Sequence, residues 1–433
     1  MNNYEYLCLN LIGRFTILEG GSMTRRERVI TALKHKAPDK IPIDCGGMRS
    51  TGLMGMTYNA LKKFLGIREG ETKIYDMIQQ LAIPEDWYLE RFQIDCVDLA
   101  RAFSDNPEDW NDWTLPDGTA AKIPAWLKIK KKNESWVCID DDGDILAEMP
   151  RGSYFFDQKL WPLYGIHKEN FDDLGSYINK VMWSSMTDPL WKNAEDPDFH
   201  SILRQKAKKL YEETDYFIMI GFGGQFFELG QYLYRNDEFM MNLILHRQEM
   251  EKVLDKLLQI HVANLKPLLE VISPYVQLIV MGDDLGTQSA PMLSPAMYRE
   301  IILPRVKELY KLVKDESDLF IFLHTCGAVA EFIPSFIEAG VDVINPVQLS
   351  AAGMEAEKLK REFGKDIAFW GGGADTQHTL LKGSEKDVRE EVRKNCEIFM
   401  RDGGFVFNQV HNMLYGIPPQ NIVAMYEEVN KFR

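Results

Sequence analysis

Cysteine and long apolar runs are both scarce in this sequence. The 433 residues include only six cysteines, and no two of them form a CxxC pair. Such scattered positions exclude a disulfide framework and favour a reducing compartment, so we expect a cytoplasmic protein. No apolar run approaches the roughly 20 residues that a membrane span needs. The cysteines are at positions 8, 45, 96, 138, 326 and 396.

Positive charge is also in deficit. The chain has 50 lysines and arginines against 65 aspartates and glutamates, which gives a formal net charge of −15. Because nucleic-acid binding requires a basic surface, this balance argues against a nucleic-acid partner. The remaining composition, 45% apolar and 27% charged, is typical of a globular protein, and the chain is long enough to bury a large core.

The first 22 residues differ from those that follow. They lack the basic segment and the AxA-like cleavage site of a signal peptide. A helix start comes next, at MTRRERV, where Thr24 and Glu27 have the spacing of a capping box. We therefore expect a helical N-terminal extension over residues 1–22, with disorder or an artefactual start as alternatives, and a barrel domain over residues 23–433.

Short β-rich runs alternate with helical patterns along most of the chain. This alternation indicates parallel strands joined by crossover helices, and eight such runs predict an (β/α)8 TIM barrel. The predicted strands lie within 41–47, 96–103, 217–222, 276–284, 319–327, 341–348, 367–375 and 405–412.

Two regions interrupt the alternation. In residues 105–157, two alternating runs flank the turn signal Asp142-Gly143, which predicts a β-hairpin within a β-rich insertion. Residues 158–216 are mainly helical and aromatic in pattern, so we interpret them as an enlarged crossover.

The predicted strand ends carry most of the candidate site residues. In a barrel of this type the working groups lie at the carboxyl ends of the strands, because the loops there converge on one mouth. Strand-ending Asp and Asn are also ordinary turn formers, so each single member has a structural alternative. Candidate catalytic residues are Asp283, Asp284 and Arg49. Candidate substrate-binding residues are Phe222, Gln225, Asn345, Gln348, Trp370 and Asn412.

Three other residues at predicted strand ends have the side chains that zinc prefers. His324 and Cys326 follow one strand in the stretch HTCG, and His411 follows the last strand in FNQVHN. Three nitrogen and sulfur ligands with an open fourth position are typical of a catalytic zinc site. HxC alone is a weak signal, since a histidine near a strand end is more often a hydrogen-bonded structural residue.

Four motifs are spread along the chain. They are MTRRERVITALKHKAPDKIPID near the start, HTCGAV at 324, FWGGGADTQ at 369 and VHNMLYGIPPQNIVAMYEEV at the end. Through these motifs the sequence resembles the uroporphyrinogen decarboxylase superfamily, in its branch of cobamide-dependent methyltransferases. The similarity spans nearly all of the chain from Met23 and implies an (α/β)8 barrel.

The resemblance implies a zinc ion held by the HxC pair and by a late cysteine in the last loop. His324 and Cys326 match the pair, whereas His411 stands where the cysteine is expected, and Gln348 stands near the place of an acidic fourth ligand. With two imidazoles and one thiolate the zinc unit is cationic, whereas with two thiolates it is neutral. A cationic unit favours activation of oxygen over binding of a thiol.

The hypothesis that follows is a zinc-dependent methyltransferase. It moves a methyl group between a small molecule, expected to be methoxylated, and a corrinoid (cobalamin) carried by a partner protein. The alternatives are a thiol-methylating cobamide methyltransferase, a uroporphyrinogen decarboxylase in which Arg49 clamps a carboxylate, and a non-catalytic binding barrel. A single arginine serves a porphyrinogen with eight carboxylates poorly. A homodimer is expected only because relatives form one.

Overall fold

The computed structural model describes residues 22–186 and 189–432. The predicted extension, residues 1–22, therefore lies almost wholly outside the described residues. The predicted capping box at Thr24 is present, because the Thr24 side chain accepts from the Glu27 backbone while the Glu27 side chain accepts from Thr24.

A curled, fully parallel sheet of seven strands forms the centre of a TIM-barrel-like α/β fold, with neighbouring strands in chain order. The order confirms seven of the eight predicted strands. The strands are β1 (Cys96–Asp98), β2 (Phe217–Gly223), β3 (Leu278–Gly282), β4 (Phe320–His324), β5 (Val343–Asn345), β6 (Ala368–Trp370) and β7 (Phe405–Val406).

The eighth predicted strand, at 41–47, is reduced to a single bridging residue. Ile43 pairs in parallel with Phe407 beside β7, and its carbonyl accepts from the Asp95 backbone at 2.8 Å next to β1. This segment thus links the two edges of the sheet. The pairing does not extend into a longer ladder, because Pro42 has no N–H to donate and the chain turns at Gly46, where φ is +78°.

Helices connect the strands, and none among the described residues is both long and apolar enough to cross a membrane. One predicted continuous helix, at 294–316, opens into a π turn at Tyr298–Ile302 before continuing from Leu303, because Pro304 lacks the N–H that an unbroken α-helix requires. The α-helices are Arg25–Leu33, Gly55–Leu65, Asp86–Phe92, Leu174–Ile178, Met182–Ser185, Pro189–Lys192, Phe199–Glu213, Phe227–Tyr234, Asn236–Leu245, Arg247–Ile272, Pro295–Met297, Leu303–Glu316, Ile333–Ala339, Ala356–Phe363, Thr379–Lys382, Glu385–Phe399 and Pro419–Val429, with 3-10 turns at Leu99–Phe103, Pro107–Asp109 and Ala330–Phe332.

Between β1 and β2 the chain forms antiparallel strands. Trp110–Thr114 pairs with Ala120–Pro124, and a four-stranded sheet contains Ile129–Lys132, Ser135–Ile139, Ile145–Met149 and Asp157–Gln158. A short pair, Ile74–Asp76 with Leu81–Ala82, lies before β1.

The strands of the barrel are buried on both faces, as expected when helices cover a parallel sheet. Successive residues alternate between the interior and the helical layer. In β3, for example, Val280 belongs to the inner cluster and Ile279 to the outer one. The inner cluster includes Phe217, Met219, Leu278, Val280, Phe322, Val343, Ala368, Trp370 and Val406. This alternation decides which strand-end side chains face the mouth.

Candidate metal centre

The strand register places His324 and Asn345 side by side at the mouth. Phe322 and Val343 face the barrel interior and are register partners, so the next inward positions, two residues further, are His324 and Asn345. On its other side, His324 is the register partner of Gly282, which has no side chain to fill the space. The imidazole therefore lies over the interior, at the carboxyl end of the sheet.

A hydrogen-bond relay fixes the tautomer of His324. The amide nitrogen of Asn345 donates to the carbonyl of Trp370 at 2.9 Å, so the amide oxygen faces the imidazole and accepts from Nδ1 at 2.8 Å. Nε2 is then left without a proton and accepts from Oγ of Ser50 at 3.3 Å. A histidine oriented through its second nitrogen is characteristic of metal ligands.

Cys326 is held beside His324 by its backbone. Its N–H donates to Oδ1 of Asp284 at 2.8 Å, and its Sγ lies 3.4 Å from Nε2 of His324. Gly327 follows with φ of +89°, and a Cβ there would lie 2.4 Å from the backbone of Gly286. Only glycine permits this close approach, which sets the direction of the cysteine.

His411 completes the cluster from the loop after β7. One ligand atom from each of His324, Cys326 and His411 lies within 4.8 Å of the others, and the two imidazole rings are 5.8 Å apart between centroids. Burial, and then the neighbouring His324, lower the pKa of His411 to about 4. The ring is therefore neutral near pH 7, which is the state that binds a metal.

The donor set fits a zinc-sized cation. Two metal–ligand bonds of about 2.0–2.3 Å at a tetrahedral angle separate their ligand atoms by roughly 3.5 Å, close to the 3.4 Å between Cys326 and His324. Burial and the nearby charges of Asp284 and Glu228 raise the pKa of the Cys326 thiol. A thiolate at this position therefore needs a cation beside it.

The two predicted catalytic carboxylates lie in different environments. Asp284 accepts from the Cys326 backbone, is 3.8 Å from Nε2 of His324 and keeps 34% of its side chain exposed. Asp283 is buried and accepts from the N–H groups of residues 226, 227 and 228 at 2.6–3.3 Å. It thus caps the helix Phe227–Tyr234. Desolvation raises the pKa of Asp283 to about 7. Its direct part in catalysis stays a prediction.

Glu228 is a third carboxyl, which the sequence analysis did not identify. It accepts from Nε2 of Gln225 at 3.0 Å, from the Asp284 backbone at 3.4 Å and from the hydroxyl of Tyr232. Burial, followed by the charge of Asp284, raises the pKa of Glu228. The sequence feature that could have identified Glu228 is its position in FFELG, in the first turn of the helix that follows β2.

Several predicted substrate-binding residues hold loops in place. Oε1 of Gln348 accepts from the Gly327 backbone at 2.9 Å, which supports the turn after Cys326. Asn412 is buried and accepts from Gly52 at 2.8 Å. Phe222 is partly exposed on the last residues of β2, next to the Gln225 loop. A substrate contact by any of these side chains stays a prediction.

Trp370 and Arg49 each have a buried carboxylate as a partner. The Trp370 ring is fully buried in the barrel, where its Nε1 donates to Asp44 at 2.9 Å. Arg49 forms an ion pair with the buried Asp76 at 2.6 Å, and its guanidinium lies 5.4 Å from the Trp183 ring. A catalytic part for Arg49 and a substrate contact by Trp370 stay predictions.

The fold and the cluster define a class of protein: a TIM-barrel-like α/β protein with metal-capable side chains at the carboxyl ends of its strands. The model of the family "Uroporphyrinogen decarboxylase (URO-D)" matches residues 184–432. The chain belongs to the uroporphyrinogen decarboxylase family, as the resemblance of its motifs predicted.

One solved structure supports the same fold, and a second resembles the chain only weakly. The chain is similar to a methyltransferase from Methanosarcina mazei, with a TM-score of 0.56 and 16% identity over 95% of this chain and 99% of that one. A D-psicose 3-epimerase solved in the presence of D-fructose gives a TM-score of only 0.32, at 12% identity over 62% of this chain and 94% of that one. Among curated proteins, none matches the chain.

Proposed function

We propose that this protein is a zinc-dependent methyltransferase that moves a methyl group between a methoxylated small molecule and a corrinoid carried by a partner protein. The observation that carries the proposal is the cluster of His324, Cys326 and His411, whose ligand atoms lie within 4.8 Å of one another at the barrel mouth. The family, and the similarity in fold to a methyltransferase, support it.

Each residue of the mouth has a distinct part in this proposal. His324, Cys326 and His411 hold the zinc ion, which supplies Lewis acidity toward an oxygen of the substrate. Asn345 keeps the proton of His324 on Nδ1 and so keeps Nε2 available. In this proposal Asp284, one-third exposed beside the cluster, orients the substrate or takes part in proton transfer.

The donor set favours an ether oxygen over a thiol. With two neutral imidazoles and one thiolate, a bound zinc unit would carry a positive charge, which would favour an alkoxide or phenolate leaving group. In the transfer, the methyl C–O bond breaks and oxygen keeps its electron pair and takes up a proton. The reduced corrinoid of the partner supplies the electron pair of the new carbon–cobalt bond, so electrons and atoms balance.

The decarboxylase alternative has less support from the geometry. A clamp for substrate carboxylates needs a cation directed into the site. Arg49, the arginine of the GGMRS loop, is instead 2.6 Å from the fully buried Asp76. Turning Arg49 toward a substrate would leave that carboxylate buried without its cation, which is costly.

An anaerobic transfer assay tests the proposal. Full-length protein is mixed either with a reduced corrinoid protein and a panel of methoxylated compounds, or with a methylated corrinoid protein and a panel of thiols. Absorbance follows the change from Co(I) to methyl-Co(III) in the first case and the reverse change in the second. We expect transfer from a methoxylated compound, and we expect Cys326→Ala to lose both the activity and one equivalent of zinc. The matched control is Cys138→Ala, which removes a buried cysteine from the antiparallel sheet and keeps both. A wild type that is fully active after removal of all metal would overturn the proposal, and preferential methylation of thiols would overturn the choice of oxygen.

A further inference from the structure

A second group of metal-capable side chains lies outside the barrel mouth. It consists of His167, His246 and Glu249, and it shares no residue with the cluster described above. His167 comes from the loop that follows the antiparallel sheet, whereas His246 and Glu249 lie at the junction of the helices Asn236–Leu245 and Arg247–Ile272. Both histidines are exposed and the glutamate is partly buried.

Two helices fix the backbone on one side of this group. The N–H of His246 donates to Asn242 at 2.9 Å and ends the first helix, while its carbonyl accepts from Glu249 at 3.0 Å and from Met250 at 3.1 Å in the first turn of the second. His246 and Glu249 are three residues apart in that turn, so their side chains lie on the same side.

The loop on the other side is fixed through its own contacts. The N–H of Leu163 donates to Leu233 at 2.9 Å, and the N–H of Gly165 donates to the carboxylate of Glu238 at 2.9–3.0 Å. The N–H of Lys168 donates to Oε1 of Glu249 at 3.0 Å. This last bond orients the carboxylate and holds His167 next to it.

The side chains already meet at ligand distance. One ligand atom from each residue lies within 4.8 Å of the others, and the two imidazole centroids are 4.5 Å apart. Nδ1 of His167 is 2.9 Å from Oε2 of Glu249, a separation at which a cation can replace the shared proton. Two imidazoles and a carboxylate form a ligand set that zinc uses in proteins.

We propose that His167, His246 and Glu249 form a second binding site for a divalent transition-metal ion of the zinc class. With three protein ligands the ion has an open position toward solvent. It joins the loop at 163–168 to the start of the helix Arg247–Ile272. The bound state therefore stabilises the enlarged crossover between β1 and β2, whatever the chemistry at the barrel mouth.

Titration of metal-depleted full-length protein with Zn²⁺ tests the site. We expect wild type to bind two ions, Cys326→Ala and His246→Ala to bind one each, and the double variant to bind none. Since loss of a mere supporting group weakens metal affinity roughly 10–100-fold, Glu249→Gln should weaken the second ion at least about tenfold. The matched control is His200→Ala, which removes an exposed histidine of the helix Phe199–Glu213 and should keep both ions.

Two further readouts separate this site from the one at the mouth. With Co²⁺ as the probe, the thiolate-to-cobalt absorption should persist in His246→Ala and vanish in Cys326→Ala. In the Cys326→Ala background, Zn²⁺ should raise Tm, and addition of His246→Ala should abolish the rise. A wild type that binds one ion, lost on Cys326→Ala, would overturn the second site. A second outcome is a wild type that binds one ion, which is lost in His246→Ala and kept in Cys326→Ala. In that case the proposed function fails and this inference stands.

Discussion

The relay from Asn345 to His324 gives the most direct test of the mouth cluster. Asn345 is fully buried and makes two hydrogen bonds, one to Nδ1 of His324 at 2.8 Å and one to the Trp370 carbonyl at 2.9 Å. Asn345→Ala removes both and lets the imidazole rotate or change tautomer. Because such supporting groups are worth roughly 10–100-fold in metal affinity, we expect zinc to bind more weakly by about 1.4–2.7 kcal/mol.

Competition with a chelating dye measures this loss of affinity, and a matched variant separates it from general destabilisation. Asn421 is also buried and donates to the carbonyls of Leu380 and Gly383 at 3.0 and 2.9 Å, neither of which belongs to the ligand cluster. Each substitution should lower the free energy of unfolding by about 1–3 kcal/mol, since each leaves buried carbonyls without a donor. Only Asn345→Ala should weaken zinc. Equal zinc affinity in wild type and Asn345→Ala, or an equal loss in both variants, would refute the reasoning.

Three further predictions concern stability, measured by urea unfolding. Gly327→Ala should lower the free energy of unfolding by about 3 kcal/mol or more, because it adds backbone clashes to a positive φ. Its control, Gly143→Ala, has φ of +87° but open space around the added Cβ, and should lower it by about 1–2 kcal/mol. Equal losses would contradict the close approach at Gly327. Arg28→Met leaves the buried carboxylate of Asp95 without its cation and should lower the free energy of unfolding by about 3–5 kcal/mol. Its control, Arg151→Met, breaks the exposed ion pair with Glu134 and should lower it by about 0–1 kcal/mol. Burial lowers the pKa of Lys360 to about 8 from 10.5. Between these pH values the unfolded chain binds one more proton than the folded chain, so the free energy of unfolding should rise with pH across about 8–10.5. Lys360→Met should reduce this rise, and an unchanged slope would refute the assignment.

The parts of the fold that depend on local pattern could be predicted from the sequence. Short apolar, β-rich runs located the seven strands, because every strand is buried on both faces. The two-residue period of a strand places His324 on the same face as Phe322, two residues earlier. The predicted strand at 41–47 was wrong in extent, since the pattern detects apolar residues but not the loss of a ladder partner at Pro42.

The roles of individual polar side chains could not be predicted in the same way. Asp283 and Asp284 are adjacent in sequence, yet one accepts from three backbone N–H groups and the other lies beside Cys326. Successive strand-end residues point in opposite directions, and which of them meets a helix end depends on the neighbouring loop. Glu228 was missed for the same reason, because its burial arises from contacts with Tyr232 and Asp284 that no local pattern encodes.

The meeting of His324 and His411 depends on the curl of the sheet. His324 ends β4 and His411 follows β7, and these two strands are separated by β5 and β6. In a flat sheet, three spacings of about 4.8 Å would put the two strand ends roughly 14 Å apart, whereas the ring centroids are 5.8 Å apart. Curvature and inward-pointing side chains account for the difference, and the link through Ile43 between the sheet edges holds that curvature. The cluster therefore depends on the curvature of the sheet and on the loop that leads from Val406 to His411.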